Sequence, residues 1–327
     1  MSDAREDWPL SAELILPFAG VPLADDGSVP SIELPALPRL AALLARLPVS
    51  TRDEADAYSP SPPHERALAR ALGFEGAAGC LPWAAHAAAS DGIATGDLAW
   101  GLLSPVHWQV GREHLTMGDP DELGLDLASS RAFFEVLQPL FESEGWLLVF
   151  GAPTRWYLAH ESLGALATAS PDRVIGRNPD LWLPDDPAAR GFKRLASEVQ
   201  MLLYTHPLNA QREARGELPL NSVWLSGCGV RQRPRADATP VVDQSLRGAA
   251  LAGDADAWRA AWQALDAGRI ADLLARAERG EAVALTLCGE RSALRLETPA
   301  VAPGLWQRLR HAVAPPRIDL PALLASL

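Results

Sequence analysis

The sequence predicts an α/β protein, and three observations carry that reading. Leucines recur at helical spacing in several stretches, short apolar runs stand between them, and the composition is ordinary for a globular chain, 48% hydrophobic and 21% charged. Strands alternating with amphipathic helices favour a largely parallel sheet with helices on its faces. At 327 residues the chain suits one large domain or two ordinary ones.

The elements follow in order. Leu14 to Leu16 is a short apolar run ending in Pro17-Phe18-Ala19-Gly20, which reads as a buried strand entering a loop. Leu37, Leu40, Leu43, Leu44 and Leu47 lie on one helical face. Ser50 to Pro63 is polar and acidic and reads as an exposed loop, followed by a helix over His64 to Leu72 that Gly73 stops. Ala94 to Val110 suggests a strand with aromatic residues, and Ser129 to Glu142 a helix that Pro139 threatens to kink. Trp146 to Phe150 and Trp156 to Ala159 read as paired strands around Gly151-Ala152-Pro153. Phe192, Leu195, Val199, Leu202 and Leu203 mark a helix ending before Pro207. Ser222 to Leu225 is a short strand running into a tight turn at Gly227-Cys228-Gly229, and Val230 to Thr239 is a basic loop. Trp258, Trp262 and Leu265 lie on a helix, with a break near Asp266 to Gly268, a second helix through Leu273 and Leu274, and a strand over Ala282 to Leu287.

Charge and cysteine usage exclude several function classes. The formal net charge is -12, whereas a nucleic-acid binder needs a basic face, so no nucleic-acid partner is expected. Cys80, Cys228 and Cys288 are odd in number and far apart, which argues against a disulfide framework or a zinc-binding CxxC pair. The opening MSDAREDWPLS is acidic, and no apolar run reaches the roughly 18 residues of a membrane span. A soluble, cytoplasmic protein without a membrane partner is the expectation.

Candidate chemistry is dispersed. The histidines are His64, His86, His107, His114, His160, His206 and His311, and no pair has HxH or HExxH spacing, so neither a metal site nor a cofactor is expected. The densest polar cluster runs from His107 to His114. A second runs from Tyr204 to Arg212, where His206, Asn209 and Arg212 on a loop could hold an anion, arginine as a fork and the others as neutral donors; a helix end that caps itself is the alternative. Arg131 and Arg155, at a helix start and a strand start, could each grip a carboxylate or phosphate. The small-residue turn around Gly227 and Gly229 could admit a ligand to the backbone, with Cys228 an inert turn cysteine.

Several segments together carry a resemblance. Leu72-Gly73-Phe74, His206-Pro207-Leu208-Asn209, and Pro219, Asn221 and Trp224 leading into a strand resemble elements of the archaeal-type cofactor-independent phosphoglycerate mutases of the alkaline phosphatase superfamily. PWAAHAAASDG, SPVHWQVGREHLTM, QMLLYTHPLN and LTLCGER resemble, over nearly the whole chain, the proteobacterial Rpf-cluster regulatory proteins of the E type, a group labelled phosphoglycerate mutase.

The resemblance implies a three-layer α/β/α core from residues 1–95 and 218–327, with a smaller α/β insertion over 96–217. It also implies a nucleophilic serine that carries phosphate, and two metal ions held by Asp and His. This sequence departs at those points. Pro63-His64-Glu65 puts His64 at the serine position. The first strand delivers Pro17-Phe18-Ala19, with no acid between Glu13 and Asp25, and the only histidine beyond His206 is His311. The expectation is a catalytically degenerate, regulatory relative without catalytic residues. It would bind a small phosphorylated or carboxylated metabolite through His107, Arg131, Arg155, His206, Asn209 and Arg212. Two alternatives stand beside it: an active phosphate-transferring enzyme with a rearranged site using His64 or His107 as base and Glu65 as assistant, and a scaffold that docks a protein partner on exposed tryptophans.

Overall fold

The computed structural model describes residues 12–22, 34–111, 115–299 and 319–327. It is a mixed α/β structure that divides into two compact units. One comprises Met1–Ala57, Pro63–Gly73 and Arg235–Leu327, the other Tyr58–Pro62 and Phe74–Pro234. Among the described residues no helix is long and apolar enough to cross a membrane.

The first unit is built on a five-stranded sheet. Its strands are β1 (Ala12–Leu16), β2 (Val49–Glu54), β9 (Pro240–Val242), β10 (Val283–Cys288) and β11 (Ser292–Glu297), in the order β2-β11-β10-β1-β9. Strands β9, β1 and β10 are parallel, with Leu14 opposite Leu285, and β11 and β2 are antiparallel. On one face Leu14, Leu16, Leu285 and Leu287 pack against three helices, α1 (Pro38–Leu44), α9 (Ala255–Ala267) and α10 (Arg269–Glu278), which bring Leu40, Leu43, Trp258, Trp262 and Ile270. On the other, Ile15, Cys288 and Ala293 meet Ala67 and Ala71 of α2 (Pro63–Leu72). The result is three layers, as the period-two alternation along β1 and β10 dictates. Helix α1 has no side-chain cap of its own at Leu37. Buried Asp266, at the end of α9, accepts from Leu40 N at 2.8 Å and completes that terminus from across the sequence. The short α8 (Arg247–Leu251) and α11 (Leu320–Ala325) complete the described helices of this unit.

The second unit holds a four-stranded antiparallel sheet, β6-β7-β3-β8, from β3 (Ala99–Val106), β6 (Leu147–Ala152), β7 (Arg155–Ala159) and β8 (Ser222–Val230). Two helices, α4 (Leu127–Ser143) and α6 (Arg190–Tyr204), cover one face through Phe133, Phe134, Leu137, Phe192, Leu195 and Val199. The alanine-rich α3 (Trp83–Ser90) covers the other, where Ala84, Ala85 and Ala88 lie on Trp100, Tyr157 and Ala159. A two-stranded ribbon, β4 (Trp108–Val110) and β5 (Leu115–Met117), follows β3, and the short helices α5 (Pro171–Val174) and α7 (Pro207–Ala214) come before and after α6 in the chain.

Four expectations need correction. Val49 to Glu54 is a strand and not a loop; it lies at the sheet edge almost wholly exposed, so no face imposes apolar alternation on it. Residues 207–214 are helical and not a loop: Pro207 takes the first helical position and His206 caps it, its Nδ1 accepting from Leu208 N at 3.3 Å. Gly227-Cys228-Gly229 does not turn but continues β8. Gly227, at φ 61°, is needed there because a Cβ would stand 2.9 Å from the Trp83 Cβ on α3. Finally, the largely parallel sheet is confined to β9, β1 and β10.

Candidate functional site

The polar residues singled out in the sequence fall into three separate groups. The first holds the chain on its way into β8. Arg212 is buried and donates from Nε to Leu218 O at 2.7 Å, and its Nη2 donates to Leu123 O. The next carbonyl, Pro219 O, lies 2.7 Å from His107 Nδ1. The next peptide belongs to Leu220: its carbonyl accepts from Asn209 Nδ2 at 2.7 Å and its N–H donates to Asn209 Oδ1 at 2.9 Å. Asn209 Nδ2 also donates to Leu203 O at 2.9 Å. Asn221 then takes both backbone groups of Trp108, accepting from N at 2.7 Å and donating to O at 2.9 Å. Residues 218–220 are therefore gripped one after another by side chains from α7 and from His107 just past β3, and Asn221 grips Trp108 in turn, a pairing of backbone groups that burial demands. Asn209 is 4% exposed and Arg212 2%, so their donors face the chain.

The second group surrounds Asp91. Its carboxylate accepts from Tyr157 OH at 2.6 Å and from Arg155 Nη2 at 2.9 Å, and Arg155 Nε reaches the same phenol at 2.9 Å. The phenol's hydrogen bond holds the Asp91 carboxyl below its ordinary range despite burial. Burial first, then the Asp91 hydrogen bond, pushes the Tyr157 phenol up. Gly151 leaves room for this contact, since a Cβ there would meet the Tyr157 ring at 2.4 Å. Arg131 lies elsewhere on the same unit, its guanidinium 4.3 Å from the centre of the Phe150 ring. Arg155 and Arg131 are thus engaged separately, and the structure does not join them to the His107 and Arg212 group in one set of contacts. His114 and His311 lie outside the described residues.

The third group lies at the carboxyl edge of β1, where ligands gather in open α/β sheets. Phe18 has φ 58°, the only described residue other than glycine with a positive φ. A left-handed backbone at a bulky residue is strained and persists when its surroundings hold it. Here Trp258 Nε1 donates to Phe18 O at 3.0 Å and Ala19 N donates to Cys288 O at 2.7 Å. The Phe18 ring lies 5.5 Å from the His64 ring at the start of α2. Beside it, Gly289 is covered so closely by Leu327 that a Cβ would lie 2.4 Å from the Leu327 carbonyl carbon. Asp243, after β9, pairs with Arg269 at 2.8 Å and accepts from Ser245 N. A pair of divalent metals needs several oxygen or nitrogen ligands on one point, and the described residues at this edge do not fit that need. Among the described residues no group of three or more His, Cys, Asp or Glu could hold a metal ion.

No family model and no curated protein matches the sequence. Over nearly its whole length the chain is similar to two solved structures. One is a cofactor-independent phosphoglycerate mutase from Thermoplasma acidophilum, at 15% identity and a TM-score of 0.36, covering 97% of this chain and 98% of that one. The other is the PH0037 protein from Pyrococcus horikoshii, at 12% identity and a TM-score of 0.41, covering 95% and 97%.

Three features carry little signal in the sequence. Asp91 lies in a helix-ending Ser-Asp-Gly with nothing to announce its partners. Phe18 carries a left-handed backbone that its residue type does not foretell. A cavity of about 430 Å³ opens at the end of β8, lined by Arg231, Cys80 and the backbone of Gly76, Gly164 and Gly229. The basic character of Val230 to Thr239 was its one signal in the sequence. The cysteines are inert in kind: burial raises the Cys80 and Cys288 thiols and pushes Cys228 up to about 12. Of the tryptophans among the described residues, none is exposed.

Proposed function

We propose that this chain is a catalytically degenerate relative of the cofactor-independent phosphoglycerate mutases that acts in regulation by binding a small phosphorylated or carboxylated metabolite. One observation carries the reading. At the carboxyl edge of β1, where the resemblance calls for a metal-binding carboxylate beside a phosphate-carrying serine, the chain sets the Phe18 ring against His64. An aromatic ring supplies neither a hard oxygen ligand nor a proton acceptor, so it does not replace the chemistry it displaces. The strained Phe18 backbone is held by Trp258 and Cys288, which supports a built arrangement and not a loose loop.

The test is an assay of the purified protein with manganese and 3-phosphoglycerate. The expected result is no interconversion above the protein-free rate. Turnover that a chelator abolishes would sink the proposal.

A further inference from the structure

The second unit holds a cation, Arg231, that forms no ion pair among the described residues. Several arginines of this unit pair with acids, such as Arg155 with Asp91 and Arg215 with Glu217. Acids outnumber bases, 41 to 29. Against that excess, neither Arg231 nor Arg233 forms an ion pair among the described residues, and both are exposed. Arg231 lines the cavity of about 430 Å³ at the end of β8, a size that suits a small metabolite.

The walls are arranged for close approach. Gly76, Gly164 and Gly229 present backbone without side chains. Gly229 is fixed in that role: its φ is 151°, and a Cβ would lie 3.1 Å from Pro82. Gln232 pins the loop opposite, accepting from Glu75 N at 2.8 Å and donating to Glu75 O at 2.6 Å. Behind Pro82, Trp83, Phe74 and His86 form an aromatic group with ring centres 5.2 to 6.4 Å apart. The Trp83 Nε1 is buried without a hydrogen-bond partner among the described residues, an unused donor next to the cavity wall. Glu75 also lines the cavity and opposes an anion there.

We infer that this cavity is the site of the proposed metabolite, and that Arg231 takes the phosphate or carboxylate of that ligand in its guanidinium fork. Arginine suits this task because its planar donors match both groups in pairs. The inference rests on the binding function proposed above and gives it an address. His86 supplies a reporter. Burial and, second, the Arg231 charge hold its proton affinity below the ordinary value. An anion on Arg231 offsets the second cause, so the imidazole midpoint rises on binding.

The experiment titrates the whole protein with inorganic phosphate, and separately with succinate, while NMR follows the His86 ring. The expected result is a shift of the His86 signals and a rise of its midpoint with one or both anions. Arg231→Met should weaken binding about tenfold or more, Glu75→Gln should tighten it, and Ala165→Phe, which fills the cavity, should abolish it. Melting curves of each variant confirm that it folds. Phosphate and succinate as separate arms tell which headgroup is preferred. Anion binding that Arg231→Met and Glu75→Gln leave unchanged would overturn this address and leave the metabolite-binding reading standing. Binding of neither anion would overturn the address together with that reading's ligand. Manganese-dependent turnover with phosphate still bound at Arg231 would overturn the reading and keep the address.

Discussion

His107 donates from Nδ1 to the carbonyl of Pro219 at 2.7 Å, across 112 positions of sequence. A carbonyl only accepts, so the ring carries a proton on Nδ1. The bond sits between those that Arg212 and Asn209 make to Leu218 and Leu220, so three neighbouring carbonyls depend on three side chains.

That dependence predicts loss of stability more than loss of any ligand. Asn209→Ala leaves the buried N–H and carbonyl of Leu220 without partners and should cost about 2–3 kcal/mol. His107→Asn, which keeps a donor near Nδ1, should cost about 1 kcal/mol or less, and His107→Ala about 1–2 kcal/mol. Urea unfolding of the three variants checks the order. Nitrogen-15 spectra of the neutral His107 ring should show the proton on Nδ1.

Asp91 predicts a pH dependence with a definite sign. Its carboxyl is held below the ordinary value by Tyr157 and Arg155. A depressed carboxylate contributes stability that is present above its unfolded-state pKa, near the ordinary 3.8, and is lost as pH falls through the lower folded value. Wild type should therefore lose stability more steeply than Asp91→Asn on acidification below about pH 4. Tyr157→Phe, which removes a buried hydroxyl bonded to that carboxylate, should cost about 1–3 kcal/mol at neutral pH. Thermal melts at stepped pH measure both. Equal acid slopes in wild type and Asp91→Asn would refute the linkage.

Gly227 and Gly216 separate two kinds of glycine. Both have positive φ, 61° and 74°, but a Cβ at Gly216 meets nothing within 4 Å. Gly216→Ala should cost only the left-handed backbone, about 1–2 kcal/mol. Gly227→Ala adds contact with Trp83 and Ala84 and should cost about 1–3 kcal/mol more. The comparison is a pair of denaturant curves.

The sequence showed elements well where burial imposes a period. The helices at Leu40, Trp258 and Leu273 bury one face and show it in their spacing, while the strands at Leu14 and Leu285, buried on both faces, show as short continuous apolar runs. Strand β2 was hidden because an exposed edge has no such face. Helix α7 resembles a loop in sequence because proline, asparagine and arginine suggest irregular chain; Pro207 at the first helical position is the signal it offers. The site was less legible than the fold. Residue type could say that Asn209 and Arg212 are strong donors. Only the folded chain says that their acceptors are Leu218 and Leu220. The Phe18 backbone and the Asp91 contacts likewise depend on distant segments.

The order of strands in the first unit has a consequence for synthesis. Strand β1 pairs with β10, Leu14 opposite Leu285, and with β9, Leu14 opposite Val241. The ribosome therefore releases Leu14, Ile15 and Leu16 on the order of tens of seconds before their partners exist. Through that interval an apolar strand with open hydrogen-bonding edges stands in the nascent chain, an apt target for a chaperone. The second unit, whose segments are almost contiguous, can close first.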